Sequence, residues 1–106
     1  MDLQKIIHRA MDLRRQYEKR ETELYGATST SVEISQGFEG DVKNLVKLVL
    51  AEHGQGSIAN SKEKLEAQLA HCLWSVVVLA NLYEIDLEQS FLDTMNDLEE
   101  HLASPS

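Results

Sequence analysis

Residues 65–83 read LEAQLAHCLWSVVVLANLY, and from Cys72 to Tyr83 this stretch is apolar around almost its whole circumference. Only Ser75 and Asn81 interrupt the apolar run. A helix without a polar face must be covered by other helices or by a second chain. Because the run is well short of the roughly 20 residues that span a bilayer, it predicts a core helix and no membrane segment.

Polar residues stand at helical spacing just before this run and again earlier in the chain. Gln68 and His71 are three residues apart, as are Asp41 and Asn44, so each pair shares one side of its helix. If the two helices pack together, the two pairs face one another. Buried polar groups without partners cost about 1–3 kcal/mol each. The sequence therefore predicts that hydrogen bonds, a metal or a ligand hold this cluster.

The composition restricts the class of protein. A chain of 106 residues predicts one domain, and its net charge of −8 argues against binding to a nucleic-acid polymer, which needs a basic surface. A single cysteine, Cys72, excludes an internal disulfide and favours a reducing compartment. Charges at Asp2, Lys5 and Arg9 do not fit a secretory signal. We therefore expect the protein to be cytoplasmic.

The charges are unevenly distributed along the chain. Residues 1–25 hold six of the ten basic side chains, whereas residues 84–100 hold seven acids and no base. A solvated helix face at each end is the simplest interpretation. A match between the two ends, within one chain or between subunits, is the alternative.

Start and stop signals predict four helices. Thr30 and Glu33 have capping-box spacing before the second helix, Asn60 and Glu63 repeat it before the third, and Asp86 caps the fourth. The first helix runs from about Asp2 to Leu24, the second from Ser31 to His53, the third from after Asn60 to about Glu84, and the fourth from after Asp86 to about Leu102. These helices and their short connections predict one all-α domain over residues 1–103, with a frayed tail at 104–106.

The apolar stripes of the other helices are narrow. They consist of Leu3, Ile6, Ala10, Leu13, Tyr17 and Leu24 in the first helix, Phe38, Val42, Leu45, Val46 and Val49 in the second, and Leu87, Phe91, Met95, Leu98 and Leu102 in the fourth. Three such stripes cannot cover a helix that is apolar all round. We therefore expect a four-helix bundle that is completed by oligomerisation, as a homodimer or homotetramer.

Two segments carry a resemblance to a known family. GFEGDVKNLVKLVLAEHG (37–54) and KLEAQLAHCLWSVVVLANLYEIDLEQSF (64–91) resemble the MazG-like all-α nucleoside triphosphate pyrophosphohydrolases. The resemblance extends from Leu3 to Leu102, with the same order and spacing of helices. It implies a helical enzyme that converts a nucleoside triphosphate to a monophosphate and pyrophosphate. It also implies Mg²⁺, which neutralises phosphate charge and positions the attacking water.

The resemblance also implies which residues form the site. The family holds Mg²⁺ with carboxylates in the patterns E-E-x-x-E and E-x-x-D, which fall here on residues 40–44 and 68–71. Only Asp41 remains a carboxylate; amides stand at 44 and 68, and an imidazole at 71. Glu39 is the one further acid nearby, at a helix angle about 200° from Asp41. The candidate metal ligands are Glu39, Asp41, Asn44, Gln68 and His71, and the candidate catalytic residues are Asp41, Gln68 and His71.

These replacements leave two functions open. A pair of unit charges at about 4 Å is worth about 4 kcal/mol at an effective dielectric of 20, so the loss of carboxylates removes much of the attraction for Mg²⁺. One hypothesis is a nucleotide pyrophosphohydrolase with a largely substituted metal site. The other is a non-catalytic relative that keeps the fold for nucleotide binding or for subunit interaction. Trp74 could stack on a base, although a place in the core or an interface is the simpler interpretation.

Overall fold

The computed structural model describes residues 2–104, which are all-helical, without a strand in that range. The four helices are α1 (Leu3–Tyr25), α2 (Ser31–Glu52), α3 (Ser61–Leu82) and α4 (Leu87–Ala103). The helical class and the number of helices are thus confirmed, and each boundary lies within about two residues of its prediction. Residues 105 and 106 of the predicted frayed tail lie outside the described residues.

Side chains cap α2 and α4 as the sequence predicts. The Thr30 hydroxyl accepts from the backbone N–H of Glu33 at 3.2 Å, and the Glu33 carboxylate accepts from the backbone N–H of Thr30 at 3.0 Å. This backbone hydrogen bond from Thr30 is the main reason that the pKa of Glu33 is lowered. Asp86 accepts from the backbone N–H of Gln89 at 3.1 Å. Both helices therefore begin where their own sequence fixes them.

The predicted cap of α3 is wrong. Asn60 has φ 56° and ψ 39°, the left-handed conformation, and its side chain makes no capping hydrogen bond. A side-chain cap needs an extended backbone at this position, which points the side chain back over the first turn. Asn60 instead turns the chain from the loop after α2 into α3. Asparagine adopts the left-handed conformation more easily than most residues do.

The pair formed by α2 and α3 is antiparallel and tied at both ends. The Ser61 hydroxyl donates to the Glu52 carboxylate at 2.8 Å, and the Tyr83 hydroxyl donates to the Ser31 hydroxyl at 2.8 Å. Between these ties the less exposed positions recur at alternating spacings of three and four, the pattern of helices that pack lengthwise. We call these positions the α2–α3 seam: Ile34, Phe38, Asp41, Leu45 and Leu48 on α2, and Leu65, Gln68, Cys72, Ser75 and Leu79 on α3.

The apolar stripe predicted for α2 is only partly covered. Phe38 and Leu45 lie on the seam, but Val42, Val46 and Val49 are exposed, and Val46 retains 52% of its accessible surface. The seam positions on α2 recur at spacings of three and four and end at buried Leu48. The neighbouring valines lie on other sides of the helix and therefore face outward.

The buried side of α1 also differs from the predicted stripe. Met11 and Arg14 are buried, whereas Tyr17 and Leu24 are exposed. The predicted stripe therefore lies at the edge of the α1–α3 contact, and a position next to it on the helix faces inward. Because a charged residue occupies that position, apolar periodicity alone does not reveal it.

The core is small and centres on α3. Val77 and Val78 are the most completely buried apolar residues among those described, and Val78 is only 1% exposed. By length and composition α3 is apolar enough to cross a membrane, a property that the core helix of a soluble protein can share. In the single chain α1 and α2 pack against α3, and 17% of the most apolar part of α3 is buried.

Helix α4 is not part of this core. None of its residues is buried, and Leu102 retains 86% of its accessible surface. The radius of gyration is 17.0 Å, compared with about 13 Å for a compact domain of this length. The chain is therefore extended, because α4 makes little contact with the other three helices.

Candidate functional site

Three of the predicted site residues surround one cleft between α2 and α3. Asn44, Gln68 and His71 line a cleft of about 310 Å³. Its other lining residues are Lys47, Leu48, Ile58, Lys64 and Ala67. The two lysines were not part of the predicted site, and they add two cationic side chains to its lining. We call this space the lysine cleft.

The two predicted acidic ligands do not line the lysine cleft. Asp41 lies half-buried on the seam. Glu39 points to solvent, where its carboxylate lies 3.4 Å from the Lys43 ammonium and both side chains are largely exposed. The seam explains the separation: positions 41, 45 and 48 face α3, whereas Asn44 lies beside this row and reaches the edge of the cleft.

The structure contains no hydrogen bond or ion pair between Asp41 and His71, although the sequence pattern suggested that they meet. His71 lies beside the seam row of Gln68 and Cys72, and its side chain is exposed. Both therefore belong to the same pair of helices, but Asp41 lies on the packed row and His71 on its flank. Asn44, Gln68 and His71 thus line the lysine cleft, and Asp41 is not among its lining residues.

Gln68 carries an unsatisfied group. Its amide nitrogen Nε2 is enclosed and has no hydrogen-bond partner in the described part of the chain. A buried donor without a partner costs about 1–3 kcal/mol. Gln68 also lines the lysine cleft, so a ligand oxygen bound there would become an acceptor for this amide after rotation of its side chain.

The donor set of the lysine cleft does not suit Mg²⁺. Magnesium prefers carboxylate and phosphate oxygens in octahedral geometry, whereas the polar residues that line this cleft are Asn44, Gln68, His71 and two lysines. Within residues 2–104, no three His, Cys, Asp or Glu side chains gather closely enough to hold a metal ion. The residues present fit an anion better than a cation.

The start of α3 adds to the positive character of the cleft. Lys64 lies in the first turn of α3, and the preceding Asn60 leaves the first backbone N–H groups without a side-chain cap. The amino end of a helix carries a partial positive charge and unpaired donors. The partial charge of the helix end has the same sign as the two lysines, whereas Glu63 in the first turn has the opposite sign and residues 61–63 do not line the cleft.

A second cleft adjoins the lysine cleft on the side of α1. It has a volume of about 490 Å³, and its walls include Arg14, Tyr17, Trp74 and His71. Tyr17 and Trp74 meet edge to face with ring centroids 6.3 Å apart. His71 and Ala67 line both clefts, so they form the wall between them. We call this second space the aromatic cleft.

A buried arginine organises one end of the aromatic cleft. Arg14 is 6% exposed, and its guanidinium lies 3.4 Å from the Glu21 carboxylate. It also donates to the Thr28 hydroxyl at 3.1 Å and to the Ser29 carbonyl at 3.3 Å. Hydrogen bonds to several acceptors are what allow a buried guanidinium to stay charged. The network fixes the loop between α1 and α2 against α1.

Glu21 is the acidic centre of this network. Its carboxylate accepts from the Thr28 hydroxyl and from the Ser29 hydroxyl, each at 2.9 Å. Burial alone would raise the pKa of Glu21, but the hydrogen bonds from Ser29 and Thr28, together with the charge of Arg14, outweigh burial and lower the pKa. Glu21 therefore stays ionised and keeps its partners at neutral pH.

The sequence contains a sign of this network that apolar periodicity passes over. Arg14, Glu18 and Glu21 recur at four and three residues, so they share one side of α1. Their spacing would equally suit a solvent-exposed ion-pair row. Only the packing of the loop at Thr28 and Ser29 against that side buries Arg14.

The chain was also compared with known proteins. No protein-family model matches it, no curated protein is significantly similar to it, and no solved structure has a significantly similar fold. The functional assignment therefore depends on the chemistry of the two adjoining clefts.

Proposed function

We propose that this chain is a MazG-like helical protein that binds a nucleoside triphosphate and does not catalyse efficient Mg²⁺-dependent hydrolysis. The observation that carries the proposal is the composition of the lysine cleft. Two lysines, two amide residues and a histidine line it, and no carboxylate residue of the described chain does. Such a set binds phosphate oxygens directly, without a bridging metal.

The phosphates would occupy the lysine cleft. Lys47 and Lys64 supply charge, and Gln68 supplies an amide donor that lacks a partner in the described protein. Lys64 lies near the amino end of α3, where the partial positive charge of the helix favours an anion. Because the chain as a whole carries a charge of −8, attraction to a triphosphate has to come from these local groups.

The base would occupy the aromatic cleft. Tyr17 and Trp74 present ring surfaces there, and a purine or pyrimidine stacks on such surfaces for about 1–3 kcal/mol. His71 lies in the wall shared by both clefts, where it can donate to the ligand between its base and its phosphates. A nucleotide is the ligand class that needs adjoining aromatic and cationic spaces.

Hydrolysis is the alternative activity of the same family resemblance. It requires a metal between the triphosphate and the attacking water, and the donors of the lysine cleft do not suit Mg²⁺. We therefore favour binding over catalysis. A cytoplasmic location and assembly of the chain into oligomers complete the proposal.

Calorimetric titration with a panel of nucleoside triphosphates in EDTA tests the proposal. We expect binding without a divalent metal, weakening at higher salt because ammonium–phosphate contacts are screened. Lys64→Gln should weaken binding by about tenfold, the value of a charge-assisted contact of about 1.4 kcal/mol. Lys43→Gln is the matched control, because Lys43 lies on α2 away from the cleft and pairs with Glu39. Its affinity should equal that of the native chain.

Two results would overturn the proposal. One is the absence of binding by any triphosphate at millimolar concentration. The other is release of pyrophosphate with Mg²⁺ or Mn²⁺ at about 1 s⁻¹ or faster, an ordinary enzymatic rate. The second result would establish the hydrolase instead.

A further inference from the structure

An apolar groove runs between α1 and α3 on the side away from α2. It has a volume of about 500 Å³, and Leu13 and Leu73, which line it, are both exposed. Its apolar lining consists of Ile6, Ala10, Leu13, Ala70, Leu73, Trp74 and Val77. We call it the α1–α3 groove. An open apolar groove of this size on a small domain indicates an interaction surface.

Basic side chains edge this groove along α1. Lys5 and Arg9 line it directly, and Arg20 lines a shallow continuation that shares Leu13. Within residues 2–104 no carboxylate lies within 4.0 Å of these three cations. The edge of the groove is therefore positive, although the chain as a whole is acidic.

Helix α4 has the complementary character. Its apolar stripe of Phe91, Leu98 and Leu102 is exposed. At 100° per residue, Glu88 and Glu99 lie on the same flank of this stripe. No lysine or arginine follows Lys64 in the sequence. Apart from His101, the ionisable side chains of α4 are therefore all carboxylates.

The spacing of the charges matches as well. Arg9 and Arg20 are eleven residues apart on α1, and Glu88 and Glu99 are eleven residues apart on α4. At a rise of 1.5 Å per residue, both separations are about 16 Å. An antiparallel α4 laid in the groove would therefore pair Glu99 with Arg9 and Glu88 with Arg20 while its apolar stripe covers the groove.

We propose that the α1–α3 groove binds helix α4 of a second copy of this chain. Each copy presents one open groove and one uncovered α4, so two copies related by a two-fold axis satisfy both. In the single chain, α4 starts beside α1, where the Gln4 amide donates to Glu88, and then leaves the other helices with its stripe exposed. This inference does not depend on nucleotide binding.

Reciprocal charge reversal tests the proposal by sedimentation. The groove variant carries Arg9→Glu and Arg20→Glu, and the helix variant carries Glu88→Arg and Glu99→Arg. Each alone should raise the dimer dissociation constant at least about tenfold, because like charges then meet across the interface. An equimolar mixture should recover native dimerisation, since both interfaces of the mixed dimer again join opposite charges. The emission of Trp74, the only tryptophan, should shift with dimerisation.

A matched control is Asp93→Arg with Glu100→Arg, on the opposite side of α4. It makes the same change in charge and should dimerise like the native chain, and circular dichroism checks that every variant folds. A native chain that stays monomeric at about 100 µM overturns the proposal. The proposal is also overturned if the groove variant and the helix variant, each alone, dimerise with the native dissociation constant. Failure of the mixture to recover the dimer also overturns it, as expected if α4 folds back on its own groove.

Discussion

Helices α2 and α4 share two local sequence features, a side-chain cap and an apolar stripe, but their surroundings differ. Each begins at a side-chain cap, and each carries an apolar stripe. Yet α2 is held along its length by α3 and tied at both ends, whereas α4 has no buried residue. The difference shows that capping and amphipathic pattern produce a helix, while burial depends on whether a matching surface is available within the same chain.

The two helices also belong to parts of the molecule that contribute differently to its stability. The covered side of α3 contributes the buried valines, and the loop after α1 contributes the arginine network. The exposed stripe of α4 contributes nothing comparable within one chain, because its apolar side chains remain in water. Substitutions on the two sides should therefore differ in their effect on unfolding.

The largest difference is expected for the same chemical change at two valines. Val78→Ala should lower the free energy of unfolding by about 2–3 kcal/mol, since two buried methyl groups are lost and a cavity remains. Val46→Ala on the exposed side of α2 should change it by less than about 0.5 kcal/mol. Urea denaturation followed by circular dichroism measures both. Equal effects would mean that the exposed valines are covered in solution.

The arginine network should give the next largest effect, and one that depends on pH. Glu21→Gln should cost about 1–3 kcal/mol at pH 7, because it removes the carboxylate partner of a buried guanidinium. Since the folded pKa of Glu21 is lowered below the ordinary value of 4.5, its contribution is present above that value and is lost as the pH falls through the folded pKa.

The difference in stability between the native chain and Glu21→Gln should thus shrink below about pH 4.5. Exposed Glu23 on the same helix provides the control substitution, Glu23→Gln. Denaturation curves between pH 3 and 7 make the comparison. If the difference in unfolding free energy between the native chain and Glu21→Gln did not depend on pH, the stability would not depend on an ionised Glu21.

Removal of the N-terminal cap should have a smaller effect, which differs between α2 and α4. Thr30→Ala should lower the global stability by about 1 kcal/mol, because α2 unfolds together with the core. Asp86→Ala should leave the denaturation midpoint of the core unchanged and instead increase amide exchange in α4. Equal loss of global stability in the two variants would mean that α4 unfolds with the core.

The smallest effect is expected at the exposed pair of Lys43 and Glu39. Lys43→Gln should change the free energy of unfolding by less than about 0.5 kcal/mol, because water and salt screen such a pair. The expected loss should disappear in 1 M salt. A larger effect would show that Glu39 has a role beyond this pair.

The sequence predicted the helices better than their packing. Thr30 with Glu33 and Asp86 with Gln89 mark helix starts through local hydrogen bonds, which need no information from distant residues. The burial predicted for Tyr17 and Leu24 on α1 was wrong. Arg14 is buried instead, through partners in the loop after the helix. Apolar periodicity cannot register a charged residue that is stabilised by its neighbours in space.

The candidate site was predicted in part for the same reason. The spacing of Asn44, Gln68 and His71 correctly predicted that they share a region between α2 and α3. Spacing could not predict that Asp41 turns into the seam, nor that Lys47 and Lys64 replace carboxylates on the wall of the cleft. The family resemblance, the nucleotide and the oligomer stay predictions.

The sequence by itself determined that this chain forms four helices and that one of them is apolar on nearly every side, since caps, loop residues and hydrophobic content act over a few residues. The tertiary structure decided which side of each helix is covered, because the 3/4 spacing of the α2–α3 seam selects one row among several apolar ones. It also decided that Arg14 is buried and that α4 stands exposed. These features depend on contacts between residues far apart in sequence, which no local pattern specifies.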